Sequence, residues 1–126
     1  MTDRELLNLA FEAMEQAYAP YSGFRVGAAL ECSDGSVFLG CNVENAAYGS
    51  TICAERTAGV KAVSEGRREF RRIAIAAQSE EFCMPCGSCR QVLSEFSTDM
   101  EVLSARKDGR YVSYKLKELL PYAFTL

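Results

Sequence analysis

The chain has 126 residues, 48% of them hydrophobic, which is enough for one compact domain, residues 1–126, with its own core. Its net charge is −3 and its pI about 5.0, which argues against a protein that tracks the phosphates of DNA or RNA, because Lys and Arg lead such binding. Histidine is absent, so any metal must rest on sulfur or oxygen, and any general acid or base must be something other than imidazole.

The amino-terminal stretch Met1-Thr2-Asp3-Arg4-Glu5 is charged, and no long apolar run follows it. Neither a secretory signal nor a membrane span is expected, and the cytoplasm is the expected location. Thr2-Asp3-Arg4-Glu5 reads as a capping box that opens a helix running to about residue 17. Leu6, Leu7, Ala10, Met14 and Ala17 share one face of that helix. Ala19-Pro20-Tyr21-Ser22-Gly23 breaks it. Residues 25–31 and 37–43 read as hairpin strands around the turn Ser33-Asp34-Gly35-Ser36. A polar loop over 45–51 leads to a helix from about 53 to 65, ended by Gly66. The basic run Arg67-Arg68-Glu69-Phe70-Arg71-Arg72 reads as a solvated helix-to-strand turn, with a phosphate site as the alternative.

An apolar strand follows over 71–77. Pro85 suits a first helical turn, and residues 86–96 carry the helical period. Strands over 101–105 and 111–113 flank Lys107-Asp108-Gly109, and a short helix over 116–120 precedes Pro121. This order predicts an α/β fold in α-β-α layers, a mixed five-stranded sheet packed with helices.

The chemistry concentrates in two cysteine segments, Cys53-Ala54-Glu55-Arg56 and Pro85-Cys86-Gly87-Ser88-Cys89. Without a signal peptide and with C-x-x-C spacing, a reduced metal site is expected rather than disulfides. Cys53, Cys86 and Cys89 fall at predicted helix starts, where partial positive charge and free N–H groups favour the thiolates that zinc binds. Three protein ligands leave a tetrahedral Zn²⁺ one open position, the arrangement of a catalytic site. One zinc per chain is expected. Glu55 is placed to take the proton of a zinc-bound water.

Three thiolates leave the site with excess negative charge, which Arg56, with Arg90 as a second donor, would offset by donating to the sulfurs. The bland alternative is a structural knot closed by a fourth sulfur, Cys41 or Cys83. Cys83-x-x-Cys86 is itself a C-x-x-C pair, but Pro85 leaves Cys83 in the preceding loop, as a free thiol. Cys32 and Cys41 read as small core residues beside the hairpin.

At these residues the chain resembles the small, homotetrameric, zinc-dependent cytidine deaminases. Tyr21-Ser22-Gly23-Phe24-Arg25-Val26-Gly27-Ala28-Ala29-Leu30 and Asn42-Val43-Glu44-Asn45-Ala46-Ala47-Tyr48 resemble the family's substrate segments. The two cysteine segments, extended through Thr57-Ala58 and Arg90-Gln91-Val92, resemble its zinc segments. Leu119-Leu120-Pro121-Tyr122-Ala123-Phe124 resembles its closing tail.

The resemblance implies hydrolytic deamination of cytidine and 2′-deoxycytidine to uridine and 2′-deoxyuridine, with release of ammonia, in pyrimidine salvage. A zinc-bound hydroxide would attack C4 while Glu55 shuttles protons to ring N3 and the departing amine. Asn42 and Glu44 would hold the ribose hydroxyls, and Ala54 would offer backbone groups to the pyrimidine edge. Phe24 and Tyr48 would contact the nucleoside, and Phe124 would dock into a neighbouring subunit's site. A small nucleoside is the implied partner, within a homotetramer with shared sites, and neither nucleic acid nor membrane is. Nucleic-acid-editing deaminases, blasticidin deaminases and a non-enzymatic zinc or redox module are the rival readings. The acidic pI and the Asn42-Val43-Glu44-Asn45 segment favour a free cytidine nucleoside.

Overall fold

The computed structural model describes residues 1–97 and 99–126. In chain order the elements are α1 (Asp3–Met14), β1 (Val26–Cys32), β2 (Val37–Cys41), a 3₁₀ turn (Tyr48–Ser50), α2 (Ala54–Ser64), β3 (Phe70–Ala77), α3 (Gly87–Ser94), β4 (Glu101–Ala105), β5 (Tyr111–Lys115) and α4 (Leu116–Leu119). The strands form one mixed sheet in the order β2-β1-β3-β4-β5. The β1–β2, β1–β3 and β4–β5 pairs are antiparallel, and β3–β4 is parallel.

Side chains alternate across the sheet and give it two apolar faces. On one face Ala29, Ala74, Ala76, Leu103 and Ala105 receive Leu6, Leu7 and Ala10 of α1. On the other, Leu30, Ile73, Ile75 and Val102 meet Ala54, Ala58 and Ala62 of α2 and Leu93 of α3. Thr2 caps α1, with both hydrogen bonds of the capping box to Glu5 present.

Since β1 opposes both β2 and β3, those two strands run the same way, and α2 crosses between them. The parallel pair β3–β4 is joined through α3. Both helices therefore start from the carboxyl ends of co-directional strands, and their N-termini come to the same edge of the sheet. Clefts that hold ligands in open α/β sheets form at such edges.

Strand β5, expected to end at 113, runs on to Lys115 because Tyr114 and Lys115 pair with Val102 and Glu101 of β4, and three other predicted boundaries shift for local reasons. The helix α1 stops at Met14 because the amides of Glu15, Gln16 and Ala17 reach back only three residues, and Tyr18 then pairs with the 42–44 segment. Strand β2 stops at Cys41 because Val43 leaves β1 to bridge Tyr18 and Ile52. The helix α3 stops at Ser94, where the Glu95 and Phe96 amides again bond three residues back. The basic run is less solvated than expected. Arg72, only 12% exposed, donates to Glu31 at 2.8 Å and Asp3 at 2.6 Å, and Arg67 pairs with Asp34 at 3.1 Å. These charges pin α1 and β1 to β3, and the hairpin turn to the segment just before β3.

Gly40 sets the distance between β2 and the first turn of α2. A Cβ there would lie 2.4 Å from the Ala54 carbonyl oxygen and 2.5 Å from the Ala58 nitrogen, both backbone atoms with no freedom to swing aside. Gly40→Ala is expected to destabilise the protein by about 3 kcal/mol, at the upper end of overpacking costs. Urea unfolding checks this, and an unchanged midpoint would contradict the close packing of α2 on β2.

Candidate metal and substrate site

Cys53 is the N-cap of α2 and Cys86 the N-cap of α3, with Cys89 in the first turn of α3. Both caps have extended backbone, so each chain turns sharply into its helix with the side chain at the mouth. The three sulfurs lie within 4.8 Å of one another. Cys53 Sγ is 3.8 Å from Cys86 Sγ, and Cys86 Sγ is 3.4 Å from Cys89 Sγ. Two sulfurs on one zinc at roughly 2.3 Å and a tetrahedral angle stand roughly 3.8 Å apart. The donor set and its spacing therefore fit a small thiophilic cation.

The electrostatics also suit a cation. The Cys53 thiol is pulled down to about 5, first by a hydrogen bond from Cys89 and then by Arg56, against the effect of burial. Cys89 is pushed up by that same bond and by burial, because it keeps the proton shared between the two sulfurs. Arg56 Nη2 sits 3.8 Å from Cys53 Sγ and 3.4 Å from the Thr51 carbonyl oxygen. Arg90, expected to assist it, does not reach the sulfurs. Its guanidinium donates to the carbonyls of Pro85 at 2.7 Å and Leu119 at 2.7 Å, tying the start of α3 to the end of α4. Cys83 stands outside the sulfur cluster. Burial raises its thiol to about 11, so it stays protonated.

Glu55, the second residue of α2, is buried beside this cluster. Burial is the main cause that lifts its carboxyl from 4.5 to about 7, and the Cys53 charge adds to it. A carboxyl group poised near neutrality can both take and give a proton.

A cavity of about 250 Å³ opens onto the cluster. Phe24, Asn42, Glu44, Tyr48, Ala54 and Glu55 line it together with Cys53 and Cys86. Asn42 and Glu44 are buried and Tyr48 is exposed on the 3₁₀ turn. Phe124 is not in this cavity; it is 67% exposed, and its carbonyl accepts from Gln91 Nε2 at 3.1 Å. Ser22, Val26, Thr51, Cys83 and Met84 also line the cavity. Ser22 was legible only as part of a motif, and Val26 looks like any strand residue. In a larger depression of about 450 Å³, Arg67 pairs with Asp34 and Arg68 donates to the carbonyls of Val63 and Arg67.

The family model for the cytidine and deoxycytidylate deaminase zinc-binding region matches residues 1–105. This chain belongs to the cytidine deaminase family. It is 50% identical over 125 residues to the cytidine deaminase of Halalkalibacterium halodurans, covering 98% of this chain and 95% of that one. It is 47% identical to that of Sporosarcina psychrophila, covering 99% and 93%. The crystal structure of cytidine deaminase from Burkholderia pseudomallei superposes with a TM-score of 0.95 at 46% identity, covering 98% of this chain and all of that one. The chain is accordingly an enzyme, a hydrolase of the cytidine deaminase family.

The buried Glu55 has a measurable consequence in the metal-free protein. Between pH 4.5 and about 7 the folded chain holds its proton while the unfolded chain has lost it, so stability falls as pH rises. Under chelating, reducing conditions the wild type should lose about 3 kcal/mol relative to Glu55→Gln across that window. Denaturant unfolding at a series of pH values checks this; parallel curves for the two proteins would contradict it.

Proposed function

We propose that the protein is a zinc-dependent cytidine deaminase that converts cytidine and 2′-deoxycytidine, with water, to uridine or 2′-deoxyuridine and ammonia. The observation that carries the reading is the buried Glu55 carboxyl beside three converging cysteine sulfurs, at a cavity that Glu55, Cys53 and Cys86 line. Cys53, Cys86 and Cys89 hold one zinc ion per chain. Zinc held there supplies the Lewis acidity that makes water a nucleophile near neutral pH. Glu55 takes the water proton, delivers it to ring N3, and carries a proton to the amine as it leaves C4. Arg56 offsets the excess negative charge of three thiolates through its approach to Cys53.

Asn42 and Glu44 bind the ribose hydroxyls, which suits an amide and a carboxylate buried at one wall of the cavity. The backbone of Ala54 faces the pyrimidine edge, and Phe24 and Tyr48 contact the nucleoside. Among the described residues that line the cavity none is Lys or Arg, which supports a neutral nucleoside rather than a nucleic-acid strand. Residues 1–126 act as one catalytic domain and assemble as a homotetramer. The exposed Phe124, which does not line its own chain's cavity, supports a tail that completes a neighbour's site. A metal centre of three free thiols supports a reducing, cytoplasmic setting, and the product fits a role in pyrimidine salvage.

Ultraviolet absorbance of cytidine with zinc-loaded protein, with ammonia measured in parallel, tests the reading. Equal uridine and ammonia are expected. Glu55→Gln should keep its zinc and lose about 10²- to 10⁴-fold in rate, the usual worth of a general acid–base group. Near-normal turnover by zinc-loaded Glu55→Gln would overturn the assignment.

A further inference from the structure

The segment 21–26 carries Phe24 yet has little regular structure of its own. Two side chains from the neighbouring 42–44 segment hold it in place. Asn42 Oδ1 accepts from the Val26 amide at 2.9 Å, and Asn42 Nδ2 donates to the Phe24 carbonyl at 2.8 Å. Glu44 Oε1 accepts from the amides of Tyr21 and Ser22, each at 3.0 Å, and Glu44 Oε2 accepts from the Ser22 hydroxyl. The same hydroxyl accepts from the Phe24 amide at 3.0 Å. Gly23 has φ +69°, the left-handed turn that folds Ser22 and Phe24 back on each other.

Glu44 is 4% exposed, so its carboxylate depends on these donors. An ionised carboxylate offers about four acceptor positions, and the loop fills three of them. One remains for a ligand.

We propose that Ser22 is a positioning residue for the sugar end of the site: its hydroxyl locks Glu44 and Phe24 into one unit and leaves the carboxylate a single acceptor place for a sugar hydroxyl. The proposal rests on the nucleoside reading above. Ser22 acts through its two partners and takes no part in proton transfer at the ring. Losing its hydroxyl weakens the hold on the nucleoside without touching Glu55 or the sulfurs.

The test is steady-state kinetics with cytidine on zinc-loaded wild type, Ser22→Ala, Ser22→Thr, Glu44→Gln and the Ser22→Ala/Glu44→Gln double variant. Ser22→Ala is expected to raise KM about tenfold, the low end for a hydrogen bond to a charged group, with kcat within about twofold. Ser22→Thr keeps the hydroxyl and should restore most of the loss. In the Glu44→Gln background, Ser22→Ala should cost little more, because residues acting through each other are not additive. An unchanged KM, a loss carried by kcat, equal losses in Ala and Thr, or fully multiplicative effects in the double variant would each overturn the proposal. If zinc-loaded wild type leaves cytidine untouched, the nucleoside reading itself fails and the role of Ser22 falls with it; activity in wild type with any of the four results above overturns Ser22 alone.

Discussion

Everything at the site depends on two helix N-termini meeting at one edge of the sheet. Strands β2 and β3 run the same way, so the helices that follow them start side by side. Each start brings cysteine sulfur to the meeting point together with the positive end of a helix dipole. The sheet beneath is held by apolar contacts on both faces, and these place the two helix starts. Gly40 lets α2 lie against β2 at backbone contact, and any residue with a Cβ would push the turn carrying Cys53 and Glu55 outward.

The same packing gives Glu55 its character. It lies under the cluster, away from water, and burial rather than any single neighbour keeps its carboxyl near neutrality. Glu44, the other buried carboxylate of the cavity, has the opposite treatment: the Ser22 hydroxyl leads the donors that hold it below the usual carboxylate range, against burial. Two acids in one cavity thus differ because burial dominates at Glu55 and hydrogen-bond donors dominate at Glu44.

Much of this was legible in the sequence because it is local. The capping box at Thr2, the turn at Gly35, Pro85 before α3 and the C-x-x-C spacing each specify a short stretch, and the five-stranded α/β architecture follows from their order. What the sequence hid depends on contacts between distant segments. Val43 follows β2 without a break in pattern, and only its pairing with Tyr18 and Ile52 takes it off the sheet edge. Arg56 and Arg90 each stand beside a cysteine, and nothing local distinguishes them; the fold gives Arg90 two carbonyls to hold and leaves only Arg56 near sulfur. Cys83 also matches the C-x-x-C pattern, but there the local signal sufficed: Pro85 leaves it in the loop, and its sulfur lies outside the cluster. The clamp of Ser22 on Glu44 spans 22 residues of sequence and has no periodic signature.

An open position for water at the metal requires that three sulfurs, and only three, hold it. X-ray absorption at the zinc edge of the loaded protein measures this directly. Three sulfurs at about 2.3 Å and one oxygen or nitrogen neighbour in the fourth position are expected. A shell of four sulfurs, which would require Cys83 or Cys41 to swing in, would close the open position and contradict it.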